Sequence, residues 1–163
     1  MPAVADMLTL SAHLPEVTFA PGEAVMRDGE TTGDMWVLVS GALKVHKDGV
    51  QVNLITHPGA LIGEISVLLG VPHSATVEAI EPSTLRYAAD GDGLLASDPA
   101  IAKFVAVGLA ERLRFVTNYL ADLRNQYADV PGLTMVSDVL RRLHDPRGPV
   151  ATPGSARDPD PEY

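Results

Sequence analysis

The chain has 163 residues, 46% of them hydrophobic and 20% charged, which suits one ordinary domain with enough apolar content to bury a core. Its formal net charge of −9 argues against nucleic-acid binding, because an acidic surface repels a phosphate backbone. The absence of cysteine excludes disulfides, thiolate nucleophiles and cysteine-ligated zinc or iron–sulfur centres.

From the N-terminus, no basic and apolar leader pattern is present, and no run reaches the roughly 18 apolar residues of a membrane span. A cytoplasmic protein without a membrane partner is therefore expected. Most of the 14 glycines then punctuate residues 20–93 at short intervals, the spacing of strands and turns. Strands are predicted at 16–19, 23–27, 35–40, 42–46, 51–56, 75–79 and 84–89, bounded mainly by Pro-Gly, Asp-Gly and Ser-Gly pairs. Such a series of short strands points to a small antiparallel barrel or roll. Met35-Trp36-Val37-Leu38-Val39 is almost continuously apolar and reads as a central strand buried on both faces, although a buried helical segment fits the same pattern. Asp90-Gly91-Asp92-Gly93 is read as a turn, since the other ligands of a calcium loop are missing.

At Asp98-Pro99 the texture changes. An N-cap followed by proline at the first helical position opens a helix of about 30 residues over 98–129. Leu109, Leu113, Val116, Leu120, Leu123 and Tyr127 repeat at alternating intervals of about four and three, the spacing of a heptad seam. Phe104, Phe115 and Tyr119 lie off that seam. Two apolar faces imply two partners, the barrel and a second copy of the chain; burial within one monomer is the alternative. A short helix is predicted within 130–144, roughly 134–143, and the Pro- and Gly-rich residues 145–163 read as a disordered tail. Residues 1–129 thus form the expected main domain.

The segment Gly63-Glu64-Ile65-Ser66-Val67-Leu68-Leu69-Gly70-Val71-Pro72-His73-Ser74-Ala75-Thr76-Val77 carries the most specific chemistry. It reads as a turn at Gly63, one helical turn over 65–69, a break at 70–72 and a strand from about Ala75. The start of such a helix offers unpaired backbone N–H groups and a positive dipole end to an anion. Glu64 there serves either as a partner for the helix dipole or as an acceptor for a pair of sugar hydroxyls.

This segment resembles the phosphate-binding cassette of cyclic nucleotide-binding domains, in which Phe-Gly-Glu-Leu-Ala-Leu-Leu is followed a few residues later by Pro-Arg-Ala-Ala-Thr-Val. Phe19-Ala20-Pro21-Gly22-Glu23, Gly29-Glu30, Met35 to Gly41 and Pro58-Gly59 match further landmarks of that family in order, so the resemblance covers about residues 10–125. It implies a mainly β fold with flanking helices: a jelly-roll-like barrel holding cyclic AMP or cyclic GMP, followed by a long C-terminal helix. It gives Glu64 the ribose 2′-hydroxyl. Gly63 and the amides near Ile65 and Ser66 fall where the family's backbone meets ribose and phosphate, and Ser74 falls where an amide and a hydroxyl reach the phosphate. Alignment with the dimeric bacterial activators of the family brings Thr117 near a polar helix residue that contacts the purine across the dimer.

Two departures from the family bear on function. The cassette arginine is replaced by His73; an arginine is always charged and offers a planar fork, whereas a neutral imidazole offers one donor. With 34 residues after Asp129, the winged helix-turn-helix of the family's transcription factors is not expected here. Residues 1–97 hold four basic and 12 acidic side chains, so a nucleotide site there works against an unfavourable field. The five histidines lack metal-ligand spacing, and Ser40, Ser66 and Ser74 have no motif that supplies a base, so neither a metal nor catalysis is expected. The expected function is a stand-alone, homodimeric regulatory module that binds cyclic AMP or cyclic GMP and needs no cofactor. The alternative is a degenerate barrel that has lost the nucleotide and serves as a protein-interaction or scaffold module.

Overall fold

The computed structural model describes residues 6–127 and 134–143. The expected tail at 145–163 and the link at 128–133 lie outside the described residues. Two compact units divide the chain, residues 1–108 and 109–163.

In the first unit, α1 (Met7–Leu10) precedes β1 (Glu16–Phe19), β2 (Ala24–Met26), β3 (Met35–Ser40), β4 (Leu43–Lys47), β5 (Val50–Ile55), β6 (Leu61–Ile62), α2 (Glu64–Leu69), β7 (Thr76–Ala79), β8 (Ser83–Ala88) and α3 (Gly91–Ser97). The strands form two four-stranded sheets, ordered β1-β8-β3-β6 and β2-β7-β4-β5, and every pairing is antiparallel. β3 is central, as its unbroken apolar run implies, with Met35, Trp36, Val37 and Leu38 all buried. Because strand side chains alternate, Trp36 and Leu38 join Met26, Leu43, Ile62, Val77, Ala79 and Leu85 in a core drawn from both sheets. Met35 and Val37 face the other way, onto a second core with Met7, Ala88, Leu94 and Ile101. Helical residues thereby cover the outer face of one sheet, while the inner faces of both close on each other.

Three elements differ from the sequence reading. Asp90 does not open a turn: its side chain accepts the Gly93 N–H at 2.9 Å and caps α3, while Gly91 is packed where a Cβ would meet Met35, Val67 and the Gly33 carbonyl. Gly91 thus lies too close to β3 and α2 for a side chain, whereas a Cβ on the exposed Gly93 would meet the Asp90 carboxylate that caps the helix. β6 has two residues, too few for a period to register. α1 is a single turn capped by Asp6, and Arg86 of β8 donates to the Leu8 carbonyl and to Ser11 Oγ, supplying partners that so short a helix cannot provide for itself.

On the outer face of the second sheet, Lys44 Nζ lies 3.0 Å from Glu78 Oε1, and His46 Nε2 lies 3.5 Å from Glu78 Oε2. The hydrogen bond from Lys44 holds the Glu78 carboxyl below its ordinary range; it outweighs the opposing effect of burial, and the charge of Lys44 and the hydrogen bond and charge of His46 add to it. The stabilisation from this group is present at neutral pH and fades as pH falls through its lowered pKa.

α4 (Pro99–Gln126) starts behind Asp98, whose carboxylate accepts the Ala100 N–H at 2.8 Å. Its first turns belong to the first unit, where Ile101 and Val105 are buried and Phe104 packs on the second core. Beyond residue 108, Leu113, Phe115, Val116, Tyr119 and Tyr127 are exposed, and Phe115 and Tyr119 stack at 6.5 Å. α5 (Thr134–Arg142) completes the described elements of the second unit. Among the described residues no single helix is long and apolar enough to cross a membrane.

Candidate functional site

β6 ends at Ile62 and the chain turns at Gly63 into α2 with φ of +93°. A Cβ there would lie 2.8 Å from both the Asp34 carbonyl oxygen and Met26 Cε. Only glycine adopts this turn without strain and also fits beneath the start of β3. Glu64, the first residue of α2, is 4% exposed. Ile65 is exposed, whereas Ser66 on the next position is half-buried. The first turn of any α-helix leaves its N–H groups without partners in the helix.

α2 ends at Gly70 in the left-handed conformation, with the Gly70 and Val71 N–H groups both donating to the Ser66 carbonyl. The chain then returns through Pro72 to His73. Two backbone hydrogen bonds tie His73 to the β2–β3 loop: its N–H donates to Glu30 O at 2.9 Å, and its carbonyl accepts from Gly29 N–H at 2.8 Å. So held, the ring is 3% exposed, with Nε2 at 2.8 Å from Thr32 Oγ1 and Nδ1 at 2.9 Å from Ser66 Oγ. Thr32 Oγ1 in turn donates to Asp34 Oδ1 at 2.5 Å. Ser74 is exposed, and its carbonyl accepts from Lys47 Nζ at 2.8 Å, with Asp28 Oδ2 at 3.8 Å from the same amine.

Of the residues singled out from sequence, Gly63, Glu64, Ile65, Ser66, His73 and Ser74 lie on one helix–loop segment of the first unit, and Ser66 and His73 are in direct contact. Thr117 lies half-buried on α4 in the second unit. Sequence reasoning missed Thr32, Asp34 and Lys47. Thr32 reaches His73 across 41 positions and Lys47 reaches Ser74 across 27, while Asp34 meets Thr32 two positions away; no local pattern marks them. Among the described residues no group of three His, Asp or Glu side chains is placed to hold a metal ion.

Residues 16–94 match the family profile of the cyclic nucleotide-binding domain. This segment belongs to that family. The chain is 32% identical over 131 residues to the CRP-like cAMP-activated global transcriptional regulator of Mycobacterium tuberculosis, an alignment that takes in 76% of this chain and 57% of that protein. It is 37% identical over 70 residues to the cAMP-dependent protein kinase type II regulatory subunit of Drosophila melanogaster, covering 43% of this chain and 18% of that one. The chain thus spans little more than half the length of the bacterial regulator it matches. Among solved structures, the Thermus thermophilus catabolite activator protein superposes with a TM-score of 0.60 at 24% identity, over 76% of this chain and 60% of that one. That likeness establishes the fold, the jelly-roll of cyclic nucleotide-binding domains followed by a long helix.

Proposed function

We propose that the chain is a regulatory module that binds a cyclic nucleotide, cyclic AMP or cyclic GMP, at the cassette and relays occupancy through α4, along which two copies pair. The observation that carries this reading is the junction at Gly63: a turn that admits no side chain delivers Glu64, buried, into the first turn of α2. Glu64 then accepts from the ribose hydroxyls, and the backbone around Ile65 and Ser66, with Ser74, meets the cyclic phosphate. The named relatives agree, one being described as cAMP-activated and the other as the regulatory subunit of a cAMP-dependent kinase. For occupancy to be relayed, the ligand must bind two arrangements of the helix with different affinities.

Titration calorimetry with cyclic AMP and with cyclic GMP, at about pH 6 and about pH 8 on either side of the usual histidine range, tests the binding step. Trp36, the single tryptophan, supplies a second readout. It pairs opposite Ile62, one residue before Gly63, and its Nε1 has no acceptor among the described residues. Its fluorescence is expected to change on saturation.

The exposed seam residues Leu113 and Val116 favour pairing of copies, since apolar side chains in a row on a helix gain most when covered by a like surface. This reading gives Thr117, beside this row, the contact to the purine from the second copy. Leu113→Glu or Leu120→Glu sets like charges against each other in such an interface, and each is expected to convert dimer to monomer in light scattering. A wild-type chain that is monomeric at high micromolar concentration contradicts the pairing.

A second reading has its own support. His73 stands where the family's arginine does, and both of its ring nitrogens are already engaged within the protein. This favours a barrel that has lost the nucleotide and binds another protein; absence of binding to either nucleotide at either pH selects it.

A further inference from the structure

We propose that Ser66 is a proton-linked contact for the ligand's anionic oxygens, controlled by a chain of hydrogen bonds that runs from Asp34 through Thr32 and His73 to the Ser66 hydroxyl. This rests on the cyclic-nucleotide reading and adds to it the group that makes the contact and the event that governs it.

Counting protons along the chain fixes its direction. An ionised carboxylate only accepts hydrogen bonds, so at 2.5 Å from Asp34 Oδ1 the single proton of Thr32 Oγ1 points at Asp34. Thr32 Oγ1 therefore meets His73 Nε2, 2.8 Å away, as an acceptor. Nε2 carries the proton in the neutral ring, and Nδ1 is bare. At 2.9 Å, Nδ1 accepts the only proton of Ser66, which turns that hydroxyl inward. The face of Ser66 away from His73 then presents lone pairs alone, and these repel an anion.

A proton taken up by His73 at Nδ1 reverses the last bond. Nδ1–H donates to Ser66 Oγ, and the Ser66 proton is released to donate to a phosphoryl oxygen. The ring keeps both of its hydrogen bonds in either state and stays buried at 3% exposure, so the imidazole delivers its charge through the serine. The backbone bonds of His73 to Gly29 and Glu30 hold the ring between its two partners in both states. The charged and titratable side chains on the surrounding elements are Arg27, Asp28, Glu30 and Asp34 on the β2–β3 loop, Glu64 on α2, and Lys44, His46 and Lys47 on β4, where Lys47 is bonded to the Ser74 carbonyl. Histidine apart, none of these residue types has its ordinary titration between about pH 6 and about pH 8, so proton uptake there marks a histidine, and its loss in His73→Asn marks His73.

Two measurements on the full chain test the proposal. The first is long-range nitrogen–proton NMR of the His73 imidazole without ligand, its signals assigned by loss in His73→Asn. The neutral ring is expected as the Nε2–H tautomer. Thr32→Val is expected to give a mixture of tautomers, and Thr32→Ser to restore the wild-type form, a rescue that a merely space-filling role of Thr32 does not require. The second is calorimetry with cyclic AMP and cyclic GMP in buffers of different ionisation heat. About one proton is expected to enter per nucleotide bound near pH 8, with affinity rising about tenfold per pH unit on acidification there, and Ser66→Ala is expected to abolish this tightening. An Nδ1–H tautomer in the wild type overturns the chain whatever the ligand does. Binding without proton uptake, or a Ser66→Ala variant with an unchanged pH profile, overturns the role of Ser66. The Nε2–H tautomer together with no binding of either nucleotide overturns the cyclic-nucleotide reading instead, and the ligand contact with it.

Discussion

His73→Arg is expected to tighten cyclic-nucleotide binding by roughly tenfold to about ten-thousandfold. An arginine restores one or two charge-assisted hydrogen bonds to the cyclic phosphate, each worth about 1.5 to 3 kcal/mol, at about 1.4 kcal/mol per decade of affinity. The gain is expected to be largest at about pH 8, because a guanidinium stays charged where an imidazole does not, and the pH dependence of the wild type is expected to vanish. Calorimetry of the two proteins at both pH values measures this. Glu64→Gln in the same arginine background removes the ribose acceptor's charge at nearly constant volume and is expected to give back at least tenfold. An arginine variant that folds and binds neither nucleotide contradicts a preserved pocket and favours a barrel that contacts other proteins. Micromolar binding by the variant with none by the wild type means that recognition was lost at one side chain while the rest of the cassette survived.

The largest effect on stability is expected at Gly41, far from the cassette. Its φ is +103°, and a Cβ would fall 2.2 Å from Ser83 Oγ and 2.6 Å from Ser83 Cα. Ser83 cannot swing aside: it is 1% exposed, its hydroxyl donates to Glu81 O at 2.8 Å, and it accepts the Ala42 N–H at 3.2 Å. Relief requires β8 to move away from the β3–β4 turn, and β8 is hydrogen-bonded to both β1 and β3. Gly41→Ala is expected to cost about 3 kcal/mol or more, through backbone strain and overpacking together, and to lower Tm by about 10 °C. Gly22→Ala is the control. That glycine has a φ of +91° and nothing within 4 Å of the added Cβ, so about 1 kcal/mol of strain is expected there. Equal losses at the two positions in urea or thermal unfolding rule out the close contact with Ser83 as the cause.

The sequence by itself determined the strand-and-turn character of the first hundred residues, the central position of β3 and the start of α4. Each of these is local. Glycines with positive φ mark turns because other residues are strained there, an unbroken apolar run requires cover on both faces, and Asp98-Pro99 builds a helix start from its own side chain and ring. The form of the segment from Gly63 to Ser74 was legible for a related reason, since it is one continuous stretch whose turn and short helix are set by near neighbours. Where side chains do not record the geometry, the sequence was silent or misleading. β6 is too short to show alternation, and Asp90 to Gly93 carries the composition of a turn although tertiary packing recruits it as the start of a helix.

Only the tertiary structure decided what His73 touches. The sequence places a histidine where the family has an arginine and leaves its ring open to a ligand. The fold brings Thr32, Asp34 and Ser66 to it and encloses it, through backbone bonds between the β2–β3 loop and the cassette loop. Those contacts join residues up to 41 positions apart, and hydrogen-bond partners at that separation are set by strand order and register, which side-chain identity along the chain does not encode locally.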